Sequence, residues 1–147
     1  MSAREFVVKY FDKEYEELSL EELCRTPVSA ISGISEPDAA DLKEAFGIDT
    51  VEELATNKYV LLAQGINAFS KHSGKILDKE FKAAEFEELR EKPVSAVSGI
   101  SEGDAALLKK AFGIDTIRGL AENKYVKIAQ LITAIVSLTE LLGSSTL

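Results

Sequence analysis

Cysteine is nearly missing from this chain. Cys24 stands alone among 147 residues, so no internal disulfide and no zinc site built from paired cysteines can form. Glu21 and Glu22 stand beside it, the wrong charge for an activated thiol. Histidine is as scarce. His72 is the single one, and any Ser–His–Asp arrangement would depend on it. It lies in "SKHSG", which reads as a helix end, with Lys71 and His72 at the negative terminus and Gly74 as the cap. There is no GxxxxGK[ST] loop and no HExxH. The carboxylates fall in runs such as "EYEEL", "LEEL" and "FEEL", the pattern of solvated helical faces. These gaps exclude the common catalytic constellations. The expectation is a protein that is not an enzyme and uses no cofactor, no metal and no small-molecule substrate. No unbroken apolar run approaches the roughly 18–20 residues of a bilayer span. The opening "MSAREFVVKYFDKEYEEL" has no basic segment followed by an apolar one, so no export signal and no membrane partner are expected, and the location is expected to be cytoplasmic. No stretch alternates with a period of two, so no sheet is expected.

What the chain does have is a repeat. "PVSAISGISEPDAADLKEAFGIDT" at 27–50 returns as "PVSAVSGISEGDAALLKKAFGIDT" at 93–116. Residues 12–72 align with 78–138 without a gap, with 36 of 61 positions identical. Two copies of one folded unit are expected, at residues 1–74 and 75–147.

Each copy reads as helices and short corners. Ser19 with Glu22 forms a capping box, and Pro27 opens a new helical turn. Gly33 breaks the pattern. Ser35 caps the next helix, with Glu36, Pro37 and Asp38 in its first turn and Ala39, Leu42, Ala45 and Phe46 on its buried stripe. Gly47 ends that helix, Thr50 with Glu53 opens a short one, and Asn57 caps the last, whose stripe is Leu62, Ala63, Ile66 and Phe69. Copy two repeats this grammar with Gly99, Ser101, Asp104, Leu108, Phe112, Gly113, Thr116 and Asn123.

A helix, a tight apolar corner around Gly-Ile, a second helix and then "GIDT" resembles the helix-hairpin-helix family. The matching residues are Gly33, Ile34, Ala39, Leu42, Gly47, Ile48, Thr50, Val51 and Leu54. In copy two they are Gly99, Ile100, Ala105, Leu108, Gly113, Ile114, Thr116, Ile117 and Leu120. The longer five-helix form, similar to the N-terminal domains of archaeal recombinases, covers about 19–70 and 85–136. The resemblance implies an all-α fold of two tandem helix-hairpin-helix units packed together. It also implies DNA binding without sequence preference, a phosphate resting on the corner amides. The candidate binding residues are then Ser32, Gly33, Ile34 and Ser35, with Ser98, Gly99, Ile100 and Ser101. The chain departs from the family at the second corner glycine, which is Ser35 and Ser101 here. The acids Glu36 and Asp38, or Glu102 and Asp104, follow where the phosphate would dock.

Charge weighs against nucleic acid in copy one. Residues 1–66 hold 6 Lys/Arg against 14 Asp/Glu, whereas residues 67–147 hold 11 of each, so the whole net charge of −8 lies in the first part. Glu44, Glu52 and Leu61 of copy one are Lys110, Arg118 and Lys127 in copy two. With Lys109 and Lys124 these make a candidate nucleic-acid patch. The last helix also differs between copies. "VKIAQLITAIVSLTELL" places Leu131, Ile135, Leu138 and Leu142 at heptad spacing, a wider apolar surface than one buried stripe needs. The leading expectation is therefore a binding or scaffold module that meets a protein partner or itself, through that helix or the acidic face of copy one. Weak DNA or RNA binding through the second repeat is the alternative.

Overall fold

Side-chain caps set most helix starts in this chain. The computed structural model describes residues 2–76 and 84–143. The helices are α1 (Ala3–Tyr10), α2 (Leu20–Cys24), α3 (Glu36–Phe46), α4 (Val51–Thr56), α5 (Lys58–Ile76), α6 (Ala84–Leu89), α7 (Glu102–Phe112), α8 (Ile117–Ala121) and α9 (Lys124–Leu142). Single 3-10 turns occupy Lys13–Tyr15, Val28–Ala30 and Val94–Ala96. Three isolated bridges occur and no strand is present among the described residues, so the fold is all-α.

The capping boxes form as the sequence predicts. Ser19, Ser35, Thr50 and Ser101 each accept from the amide three residues on, and Glu22, Asp38, Glu53 and Asp104 reach back to the cap. Thr116 keeps only half of its box, because Gly119 stands where copy one has Glu53. Asn57 and Asn123 cap α5 and α9, each accepting from two amides. Gly47 and Gly113 close α3 and α7 in the left-handed region, at φ 71° and 70°.

Three expectations need correction. First, α5 does not end at "SKHSG": its backbone stays helical through Gly74 to Ile76, and the His72 side chain lies outside what is described. Second, Leu62 is 49% exposed, and the inner face of α5 runs through Val60, Ala63 and Ile66. The Asn57 cap starts the helix at Lys58 and turns Val60 inward. At about 100° per residue, Leu62 then lies on the opposite side. Third, of the α3 stripe only Leu42 is fully buried; Ala39, Ala45 and Phe46 are half-buried.

The packing partners explain these shifts. α3 lies against α7, α5 against α8 and α6, and α9 against α4 and α2. The long helix of each sequence half is therefore seated largely on short helices of the other half, and one buried core draws on both. Gln64 and Gln130, counterparts in the repeat, pair amide to amide at 2.8 and 2.7 Å. Each also donates across the halves, Gln64 to the Ala121 carbonyl and Gln130 to the Ala55 carbonyl.

Asp41 is the polar surprise in this packing. It is buried on α3, its Oδ2 accepts no hydrogen bond from the described residues, and the Lys110 ammonium of α7 is 3.9 Å away. Its counterpart in copy two is Leu107. A buried carboxylate with one distant, exposed partner costs more in lost hydration than the pairing returns. Asp41→Leu is expected to raise stability by about 1 kcal/mol in urea unfolding. A loss of that size would show that the Lys110 contact holds α3 to α7.

Candidate functional site

Two amides of the corner between the 3-10 turn and α3 are spent internally. Ile34 N donates to the Ile31 carbonyl at 3.1 Å, and Ser35 N donates to the Asp38 carboxylate at 3.4 Å. In the second corner Ile100 N donates to Val97 at 3.1 Å and Ser101 N to Asp104 at 3.3 Å. Ile34 and Ile100 are buried, anchoring both corners in the core, while Ser35, Ser98 and Ser101 are exposed. Ser32 is tied to the start of the chain, its amide donating to the Tyr10 carbonyl at 2.8 Å and its hydroxyl to Asp12 at 3.1 Å. Asp38 and Asp104, rather than Glu36 and Glu102, accept from the Ser35 and Ser101 amides. A phosphate arriving there would have to displace a carboxylate already satisfied by the helix terminus.

The two corner glycines have a second reason to be glycine. Their φ angles are 101° and 100°, where a side chain is strained. A Cβ on Gly33 would stand 2.5 Å from the hydroxyl of Tyr125, and one on Gly99 would collide with the hydroxyl of Tyr59. Each corner is thus covered by a tyrosine from the long helix of the other half. The Tyr125 hydroxyl donates to the Gly33 carbonyl at 3.4 Å. Tyr125 packs on Phe112 at 4.9 Å between centroids and Tyr59 on Phe46 at 5.0 Å. Lys124 and Lys58 set their ammoniums 5.0 Å over the respective tyrosine rings.

Three of the five cations of the sequence-derived patch face carboxylates. Lys109 pairs with Asp115 at 2.9 Å, and Lys110 faces Asp41. Arg118 reaches Glu91 at 3.1 Å and Glu122 at 3.4 Å, and the hydrogen bonds to these carboxylates push its pKa up. Lys124 and Lys127 stand together on the first turn of α9. There they line a cleft of about 540 Å³ whose other wall is α1, with Phe6, Lys9 and Tyr10. Sequence reasoning missed α1, which lies outside the aligned repeat window. The signal in hindsight was "SAREF", a Ser cap with Glu three residues on: Ser2 accepts from the Glu5 amide.

The row at heptad spacing on α9 is open to solvent. Leu131 is 47% exposed, Ile135 38%, Leu138 56% and Leu142 59%, while Val126, Ala129 and Ile132 on the opposite side are buried. In copy one the counterpart of Ile135 is Phe69, and it is covered by Phe86 of α6 at 4.8 Å between centroids. By length and composition the stretch Ile117–Leu142 would suffice to cross a bilayer. Counting unbroken apolar runs missed this, because Lys124, Lys127 and Gln130 interrupt it. The stretch is not one helix, however, since α8 ends at Ala121 and α9 begins at Lys124, and its inner face is seated on α4 and α2.

Cys24 is buried on α2, with Thr133 of α9 at 4.0 Å, and burial pushes its thiol pKa up, away from reactivity. No group of three or more His, Cys, Asp or Glu that could hold a metal occurs among the described residues. Compared with known proteins, the chain matches no family model, no curated protein and no solved structure.

Proposed function

We propose that this chain is a non-catalytic protein-binding module, a fused pair of helix-hairpin-helix-like units whose contact surface is the outer face of α9. The observation that carries this reading is the solvent-open row Leu131, Ile135, Leu138 and Leu142 on a helix whose inner face is already committed to the core. Several large apolar side chains in one row on a soluble surface mark a contact site more often than chance exposure does. Two observations favour this reading over nucleic-acid binding. Asp38 and Asp104 accept from the Ser35 and Ser101 amides, and Lys109, Lys110 and Arg118 face carboxylates.

The test is site-specific photo-crosslinking from position 135 in cells expressing the protein. The expected result is a discrete adduct, with a second copy or another protein, that Leu138→Glu removes while the circular dichroism spectrum is unchanged. An unlabelled lane, or an adduct indifferent to Leu138→Glu, would overturn the reading.

A further inference from the structure

The α1–α9 cleft has an uneven charge for so acidic a chain. Among the described residues its charged lining residues are the lysines Lys9, Lys124 and Lys127, and the Asp12 carboxylate accepts from the lining Ser32. Lys109, Lys110, Arg118 and Lys43 face acids, whereas Lys58 lies over the Tyr59 ring. The ammoniums of Lys9 and Lys124 lie 5.3 and 5.0 Å over tyrosine rings, and Lys127 stands near Glu122. Tyr10 and Ile128 lend the cleft an apolar lining. Leu131 belongs both to the cleft and to the exposed row of α9, so cleft and row are one continuous surface.

We infer that this surface receives an amphipathic helix of a protein partner that is acidic at one end. The inference rests on the protein-binding reading above and assigns the partner's chemistry. The apolar side of the partner lies along Leu131, Ile135, Leu138 and Leu142. Its carboxylates enter the cleft and meet Lys9, Lys124 and Lys127. From the first to the last residue of α9 is about 27 Å at 1.5 Å per residue, so a partner helix of about 18 residues matches it. Charge complementarity of this kind sets orientation and association rate more than depth of binding. The rings do not favour a nucleic-acid strand. Tyr10 already carries Phe6 at 4.8 Å and the Lys9 ammonium, and Tyr125 already carries Phe112 and the Lys124 ammonium, so stacking faces for bases are taken.

The probe is a fluorescent 18-residue helical peptide with leucines at heptad spacing and four glutamates at one end. Its control carries lysines in their place, and oligo(dT) serves as a third probe. Anisotropy is read against the full chain at low and moderate salt. The acidic peptide is expected to bind at least tenfold tighter than its lysine control, with the margin shrinking as salt rises. Lys9→Glu/Lys127→Glu should erase the margin but leave weak apolar binding, and Leu138→Glu should remove both. Equal binding of both peptides, lost on Leu138→Glu, would overturn the charge assignment and leave the α9 surface standing. Binding of neither peptide would overturn both. Tighter binding of oligo(dT), lost on Lys9→Glu/Lys127→Glu, would overturn the assignment in favour of nucleic acid.

Discussion

Gly33→Ala is expected to cost about 3 kcal/mol of stability, far above the roughly 0.5 kcal/mol of an ordinary surface substitution. Two effects add. The backbone sits at φ 101°, where an alanine is strained. The new Cβ also meets the Tyr125 hydroxyl at 2.5 Å and its ring carbons at 3.2 Å, and must push that ring away. The second effect can be isolated. Tyr125→Phe alone gives up a long hydrogen bond to the Gly33 carbonyl, worth about 0.5 kcal/mol. In the Gly33→Ala background the same change relieves the collision, so it should cost nothing or restore stability. A double-mutant cycle in urea is expected to give a coupling of about 1 kcal/mol. Tyr59→Phe, which touches the other corner, should simply add to Gly33→Ala. Coupling with Tyr59 and none with Tyr125 would contradict the cross-half contact.

Separating the halves is expected to cost the fold itself. A fragment of residues 1–77 keeps α5 but loses α8 and α6, against which α5 packs. A fragment of residues 78–147 keeps α9 but loses α4 and α2. Val60 and Ile66 on one side, and Val126 and Ile132 on the other, would be left without most of their cover. At about 1.5–3 kcal/mol for each large apolar side chain re-exposed, either fragment forfeits about 5 kcal/mol, comparable with the whole stability of a small domain. Neither should give a cooperative thermal transition as a monomer. An equimolar mixture should regain helical ellipticity and a single transition. A fragment that unfolds cooperatively as a monomer would contradict this.

Local structure was the legible part of this sequence. Ser19, Ser35, Thr50, Asn57 and Gly47, with Ser101, Thr116, Asn123 and Gly113 in copy two, announce helix starts and stops because caps and left-handed glycines act within three or four residues, and the structure places them there. The repeat itself was legible, since identity between copies needs no coordinates. The partners of each helix were not. Nothing in the period of α5 says that it faces α8, and that choice put Leu62 outside and Val60 inside. The Gln64–Gln130 pair could have been suspected, because both copies keep glutamine while positions 61, 62, 65 and 67 all changed. Asp41 was read past because its burial depends on α7 rather than on its own helix. At the candidate site the heptad row on α9 was visible from spacing alone. The lysine cleft was split between residues 9 and 127 and needed the fold to join it.

The central claim is that α9, encoded in the second half, belongs to the core of the first. Cys24 on α2 and Thr133 on α9 make the direct test, since Sγ and Oγ1 stand 4.0 Å apart. Thr133→Cys, treated with a mild oxidant, is expected to form a disulfide with Cys24, seen as the loss of two hydrogens in the intact mass and of both free thiols. Asn67→Cys, at the corresponding position of α5, is expected to leave Cys24 reduced under the same conditions. A reduced Thr133→Cys protein, or a bridge to Cys24 formed by Asn67→Cys, would contradict the account.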